Sequence, residues 1–431
     1  MYQSNPNPDF DSSCCFDSYN PDNPKSDPYI WVNKIANMSG QDYIDQYNPT
    51  DEQKKCLEDI MRCGTVKMGS WYEQNCYDCP STEVVYHKCH NRSCPRCHWI
   101  WKDEWWKKML EKLPHCSYSM LAITIPTELH QVFYENQDDL YPLFKKACTE
   151  AVKELTGNFG LTVIIPMLQT WNAQMDYHVH CHILVSNGWW NGDRGGWGEP
   201  SNPYWIPTTK VMLLAKRIFL RHLRTERPDL HKRTQRLMRN RPWDIHCSPF
   251  GTEWKIVGSD NDGEYIFELD NSTNTEMAVK YFSHDCLAKC FIEGIDYESK
   301  MVTISYVPDG QDDRVYETIS GVEFLDRFLQ HVLPKDFRRV STTYGLLHHT
   351  KKEQLAQVKQ LFETKRDCVI ETWLNSEPAN DETVTRKNFG QRCSCCGTQT
   401  LKSNRIFYHN YRLRKQYFVH DRASPNIPQL R

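Results

Sequence analysis

The sequence predicts an α+β fold built on a largely antiparallel sheet with helices beside it. Three observations carry that expectation. Short strand-like runs alternate with segments of helical periodicity, and two pairs of runs close on Asn261-Asp262-Gly263 and on Asp309-Gly310 as hairpins do. The run 177–185 carries His178, His180 and His182 at every second position. The segment 63–98 is so dense in Cys and His that it reads as a small metal module rather than as ordinary core.

Taken in order, residues 1–48 are rich in Asn, Pro, Asp and Ser and read as an acidic, disordered tail. Cys56, Leu57, Ile60 and Met61 cluster at helical spacing within 50–62, and 99–112 reads as a helix bearing Trp and Lys. A strand over 119–125 stops at Pro126, and a helix fits 139–156. The strand 161–171 contains Pro166, which belongs at an edge or a bulge. A basic helix is expected over 209–226, a helix over 275–291, and a further helix from Gly321 closed by Pro334. The chain thus divides into four regions: the tail 1–48, a zinc-binding module 49–112, a catalytic domain 113–349, and a helical, basic C-terminal region 350–431 with its own Cys knuckle.

Nothing in the 431 residues approaches the roughly twenty consecutive apolar residues of a membrane span, and no secretory signal opens the chain. An odd number of cysteines, 19, suits reduced thiols and metal ligands, hence a reducing cytoplasm. The net charge of −3 alone argues against a nucleic-acid partner. Its distribution argues the other way: 210–241 holds eleven Lys and Arg against Glu226 and Asp229, and 392–431 holds eight against Asp421.

Cys76-x2-Cys79 and Cys94-x2-Cys97 lie fourteen residues apart, a spacing at which four thiolates close a tetrahedron around zinc. Such a site is structural, with no coordination position left for water. Cys63, Cys89, His87, His90 and His98 are additional candidate ligands for a second ion or a replaced position. Cys393, Cys395 and Cys396 form a half-site near the C-terminus. On the strand, the three imidazoles share one face. Either His180 and His182 bind a divalent cation that polarises a phosphodiester, or the run belongs to a histidine-triad nucleotide hydrolase.

Longer stretches carry a resemblance. Residues 63–98, ending YHKCHNRSCPRCH, resemble the zinc-binding domain of rolling-circle transposases of the insertion sequence ninety-one group. MLAITIPTELH, LQTWNAQMDYHVHCHILVSNG, EMAVKYFSHD, GVEFLDRFLQHVLPKDFRRVSTTYGLL and RCSCCG come after it in the order that group shows, from about 55 to 400. The resemblance implies an HUH (histidine–hydrophobe–histidine) nuclease core, with the pair on His180 and His182, Cys181 between them, and His178 without an assigned role. It puts the nucleophile on Tyr281. Met277 stands where many members carry a second tyrosine, which implies a single-tyrosine enzyme.

The same resemblance implies a strand transferase that nicks single-stranded DNA, keeps a 5′-phosphotyrosine and frees a 3′-OH. Zn2+ would be structural and Mg2+ or Mn2+ catalytic. Asp285, four residues after Tyr281 on a helix, or His284, would supply a third ligand. Lys216, Arg217, Arg221 and Arg224 would line the DNA groove. The partners would be single-stranded DNA, element-end hairpins and target DNA, with no membrane, in the cytoplasm or at a bacterial nucleoid. The competing functions are a rolling-circle replication initiator or relaxase, the histidine-triad hydrolase, and a non-catalytic DNA-binding protein.

Overall fold

A computed structural model describes residues 28–374 except 77–79, 81, 193, 202–203, 240, 242, 251–253, 260–264, 270–285, 288–289 and 309–310, together with 400–408 and 417–418. The fold is α+β. It opens on α1 (Pro28–Tyr47) and α2 (Asp51–Arg62). The first corrects the reading of 1–48 as a tail from residue 28 onward, while residues 1–27 lie outside the described residues. Val32, Ile35, Ala36 and Tyr43 recur on one helical face and are all buried, so the helix docks against α2 and a later helix, α8 (Gly321–Leu329). The Asn, Asp and Ser between those positions hide the stripe in a composition count. The second begins in a capping box, Thr50 with Gln53. Gln53 also donates to the Leu329 carbonyl at 3.1 Å, which ties α2 to the end of α8.

Strands β1 (Ser70–Cys76) and β2 (Thr82–Tyr86) form a hairpin, and α3 (Pro95–Lys112) comes next. The zinc module is not contiguous in sequence. Strand β15 (Thr400–Tyr408) from the C-terminal region pairs antiparallel with β1, setting Thr400 opposite Cys76, and β16 (Tyr417–Phe418) extends that sheet.

The central sheet runs β14-β4-β5-β3-β8, from β3 (Tyr118–Thr124), β4 (Val163–Trp171), β5 (Tyr177–Ser186), β8 (Asp244–Phe250) and the short β14 (Tyr344–Gly345), every pairing antiparallel. Pro166 lies in β4, whose outer side carries only β14 and an isolated bridge at Met167 among the described residues. The Pro166 carbonyl accepts from Ser341 N on that side, so its missing N–H costs nothing in the pairing with β5. The bulge falls later, between Gln169 and Trp171.

One face of this sheet, with Val179, Cys181 and Ile183, is covered by α5 (Gln137–Thr156) and α6 (Thr208–Glu226) in the largest core. The short α4 (His130–Glu135) and α7 (Pro228–Leu237) flank these two helices. The other face, with Met120, Ile165, Met167 and Leu184, is covered at one end by Met109 and Leu113 of α3 and by Val358 and Phe362 of α9 (Lys352–Leu374).

Small hairpins complete the chain: β6 (Trp189–Asn191) with β7 (Gly196–Gly198), and β9 (Trp254–Ser259) with β10 (Tyr265–Leu269) as the turn residues predict. A three-stranded sheet is built from β11 (Cys290–Asp296), β12 (Met301–Tyr306) and β13 (Val315–Ser320). The helix expected over 275–291 therefore does not reach its end: Cys290 and Ile292 are buried around an exposed Phe291, a period of two that fits a strand. Most of that expected helix lies outside the described residues.

Candidate functional site

Four thiols converge where α2 ends and α3 begins. Cys63 caps the C-terminus of α2, Cys94 is the N-cap of α3, Cys97 lies in its first turn, and Cys89 comes from the preceding loop. All four sulfurs lie within 4.8 Å of one another; Cys97 is 3.6 Å from Cys63 and 3.5 Å from Cys89. A tetrahedron of thiolates at the usual zinc–sulfur distance has edges of about 3.8 Å, so the group fits a zinc ion. Backbone amides already point at the sulfurs, His90 N to Cys97 Sγ at 3.2 Å and Asn91 N to Cys89 Sγ at 3.5 Å, as the outer shell of a metal site does.

His90 takes a left-handed φ of 57° to make its contact. Hydrogen bonds from Cys89, Cys94 and Cys97 hold the Cys63 thiol far below its ordinary range, while contacts to Cys63 and the rest push Cys94 up. Once one thiolate has formed, the others cannot do the same without a cation to balance them. The CxxC pair Cys94 and Cys97 thus meets Cys63 and Cys89. Cys79 and the knuckle Cys393–Cys396 lie outside the described residues, as does the side chain of Cys76.

On β5, His178, His180 and His182 succeed one another on one face, with ring centroids 5.3 Å and then 4.6 Å apart. His180 and His182 are 9 % and 5 % exposed. His180 Nδ1 lies 3.0 Å from the His178 carbonyl, to which it can only donate. That places a proton on Nδ1 and turns Nε2 toward the side-chain amide of Gln169 on β4, whose Oε1 is 2.9 Å away. Two lone pairs at that distance would repel, so ring and amide meet here through a proton on Nε2 or through a turned amide, and the same two groups could hold a divalent cation in place of that proton. His130, at the start of α4, stacks edge-on to His178 at 5.7 Å. Burial, with His178 beside it, lowers its pKa to about 4, so it is a neutral neighbour.

Strand register adds two residues that the sequence does not single out. The rows Gln169–His180–Thr124–Asp244 and Met167–His182–Ala122–His246 run across four strands, so Asp244 and His246 of β8 share the histidine face. They stand about 10 Å along the row, two strand spacings away. Both are exposed, and His246 Nε2 is 2.8 Å from Ser248 Oγ. No local motif marks Gln169 or Asp244; only pairing across the sheet does. Tyr281, His284 and Asp285 lie outside the described residues.

The basic helix is not brought to the histidines. Residues Val211, Ala215, Ile218 and Phe219 bury α6 on the opposite face of the sheet. Lys216 is occupied there, donating to the carbonyls of Met238 at 3.0 Å and Arg241 at 2.8 Å. Arg221 pairs with Glu150 at 3.6 Å, and Arg217 and Arg224 are exposed. A run that reads as one cationic face is thus split between capping a helix end and facing solvent away from the candidate site.

Two family models match the chain: one described as "Transposase zinc-binding domain" over residues 35–125 and one described as "Putative transposase" over residues 164–354. The first spans the last turns of α1, the four thiols and β3; the second spans Gln169, the histidines and β11–β13. The chain is 24 % identical to "Putative transposase y4qJ" of Sinorhizobium fredii over 87 % of its own length and 95 % of the relative's. It is 24 % identical to "Transposase for insertion sequence element IS801" of Pseudomonas savastanoi pv. phaseolicola over 71 % of its own length and 73 % of the relative's. No solved structure matches. Among the described residues no helix is long and apolar enough to cross a membrane. With both domains in order on one chain, the protein belongs to the insertion sequence ninety-one family of transposases and carries that family's zinc-binding domain at its N-terminal end.

Proposed function

We propose that this transposase nicks and rejoins single-stranded DNA on the histidine face of the central sheet, with Tyr281 as the nucleophile. The observation that carries the reading is the pairing of His180 Nε2 with the Gln169 amide beside a nearly buried His182. These residues can hold Mg2+ or Mn2+, and such a cation supplies charge withdrawal from a scissile phosphate. Gln169 takes the part of third ligand that the sequence offers to Asp285 or His284.

The reaction balances without an energy source. The Tyr281 oxygen bonds to phosphorus, the bond from phosphorus to the 3′ oxygen breaks, and the phenolic proton ends on the freed 3′-OH. Attack by a 3′-OH reverses it and rejoins a strand. Tyr281 is assigned by the resemblance of EMAVKYFSHD, and Met277 favours one covalent link at a time. This chemistry sets the partners: single-stranded DNA, hairpins at the element ends, and target DNA. Cys63, Cys89, Cys94 and Cys97 hold a structural zinc, which fixes the start of α3 against the end of α2. The test is a cleavage assay on single-stranded DNA with Mg2+. His182→Ala should cut at least about a hundredfold more slowly with DNA affinity retained, because phosphate contacts elsewhere dominate binding. Cutting by His182→Ala at the wild-type rate refutes the assignment.

A further inference from the structure

Beyond the histidine row, a cavity of about 310 Å3 opens between the zinc module and the end of β4. One wall is α3: His98, Trp101, Lys102 and Trp105 fall at i, i+3, i+4 and i+7, so one helix face presents two indoles and a cation to it. Trp171, two residues past Gln169, also lines it, with the Arg339 guanidinium 5.4 Å from its ring centroid. Arg338 stands exposed at the rim, and none of the described lining residues is acidic. The four thiols set where α3 starts, so the same unit that would bind zinc places this wall.

We infer that this cavity takes an unpaired nucleobase of the DNA strand whose phosphate lies at His180 and His182. The inference rests on the proposed function for the position of the strand. The chemistry of the walls selects the occupant: flat indole faces suit a base without regard to its sequence, and the cationic rim suits the phosphates on either side of it. A paired base cannot present both of its faces, so the pocket favours single strands over duplex. An apolar peptide would use the indoles and gain nothing from the cationic rim.

The test uses the full-length zinc-loaded protein carrying His182→Ala, so that binding is read without cleavage. The probe is a deoxythymidine 20-mer, and affinity is measured across a salt series. Trp101→Ala and Trp105→Leu should each weaken binding about 5- to 150-fold with the salt slope unchanged, since stacking releases no counterion. Arg338→Ala should instead lower the slope by about 0.7. Trp101 is 41 % exposed, so its variant folds even if Trp105→Leu does not. Photocrosslinking of a 5-iododeoxyuridine strand should label Trp101, Trp105 or Trp171. If the 20-mer binds but both Trp variants bind as tightly as the parent, or the label falls only elsewhere, the pocket is not a base site and the proposed function stands. If the parent does not bind single-stranded DNA at all, the proposed function fails and takes this inference with it.

Discussion

Gln169 Oε1 on β4 lies 2.9 Å from Nε2 of His180 on β5, and the other nitrogen of that ring is held by the His178 carbonyl at 3.0 Å. The imidazole therefore turns Nε2 outward, and Gln169 stands where that nitrogen points. The amide does not solvate a surface, for it is buried.

Replacing it tests the role. Gln169→Ala should raise the Mg2+ concentration needed for half-maximal cleavage about 10- to 100-fold, the usual cost of losing a supporting ligand, with little change in DNA affinity. Gln169→Glu keeps an oxygen in place and should recover much of the loss. A Mg2+ dependence identical to wild type in Gln169→Ala would remove it from the site.

The thiol cluster makes a second prediction, in metal content. Cys89→Ser should lose the zinc held with Cys63, Cys94 and Cys97, and because a thiolate-bound zinc contributes folding free energy directly, the variant should melt early and expose α3 to protease. Cys76→Ser should keep that ion. Zinc counted by plasma mass spectrometry on both variants checks this; retention of the ion in Cys89→Ser would break the four-thiol assignment.

The third concerns acid. His331 is buried, and desolvation lowers its pKa to about 4. Its Nε2 donates to the Met175 carbonyl at 2.9 Å, and its Nδ1 accepts from Thr170 Oγ1 at 3.1 Å, so it clamps the turn that joins β4 to β5. In the unfolded chain the same group titrates near 6.5. The unfolded state thus binds the extra proton between those values: stability is full above pH 6.5 and is lost as pH falls toward 4, by about 3 kcal/mol. Melting temperatures from pH 8 to 4 should fall steeply below 6.5, and His331→Gln should flatten that fall. An unchanged slope in the variant would assign the acid lability to other groups.

Local patterns are legible in the sequence and long-range ones are not. The strand that carries the three histidines, the hairpins of β9–β10 and β12–β13, and helices α2, α5 and α6 arise from periods of two or 3.6 and from turn residues, all of which are set within a few positions. Gln169 and Asp244 reach the histidine face by strand register, which no window of sequence contains. Cys63 meets Cys97 across 34 positions because two helix ends abut, whereas the CxxC rule reports only neighbours. Likewise β15 joins β1 from the far end of the chain. Helix α1 is hidden for a different reason: its buried stripe is narrow, and composition averages it with the polar residues around it. Lys216 reads as part of a binding face because charge alone does not say which carbonyls a lysine caps.

The proposed chemistry turns on Tyr281 taking the DNA strand. Phenol has an unperturbed pKa of about 10, so attack at neutral pH needs a cation beside the phosphate, which in the proposed site His180, His182 and Gln169 would hold. The direct measurement is mass spectrometry of the protein after reaction with single-stranded element-end DNA and Mg2+, digested to identify any nucleotide-bearing peptide. The expected product is a 5′-phosphate linked to Tyr281, absent in Tyr281→Phe, which should still fold and bind DNA. A link to another tyrosine, or undiminished cleavage by Tyr281→Phe, would contradict it.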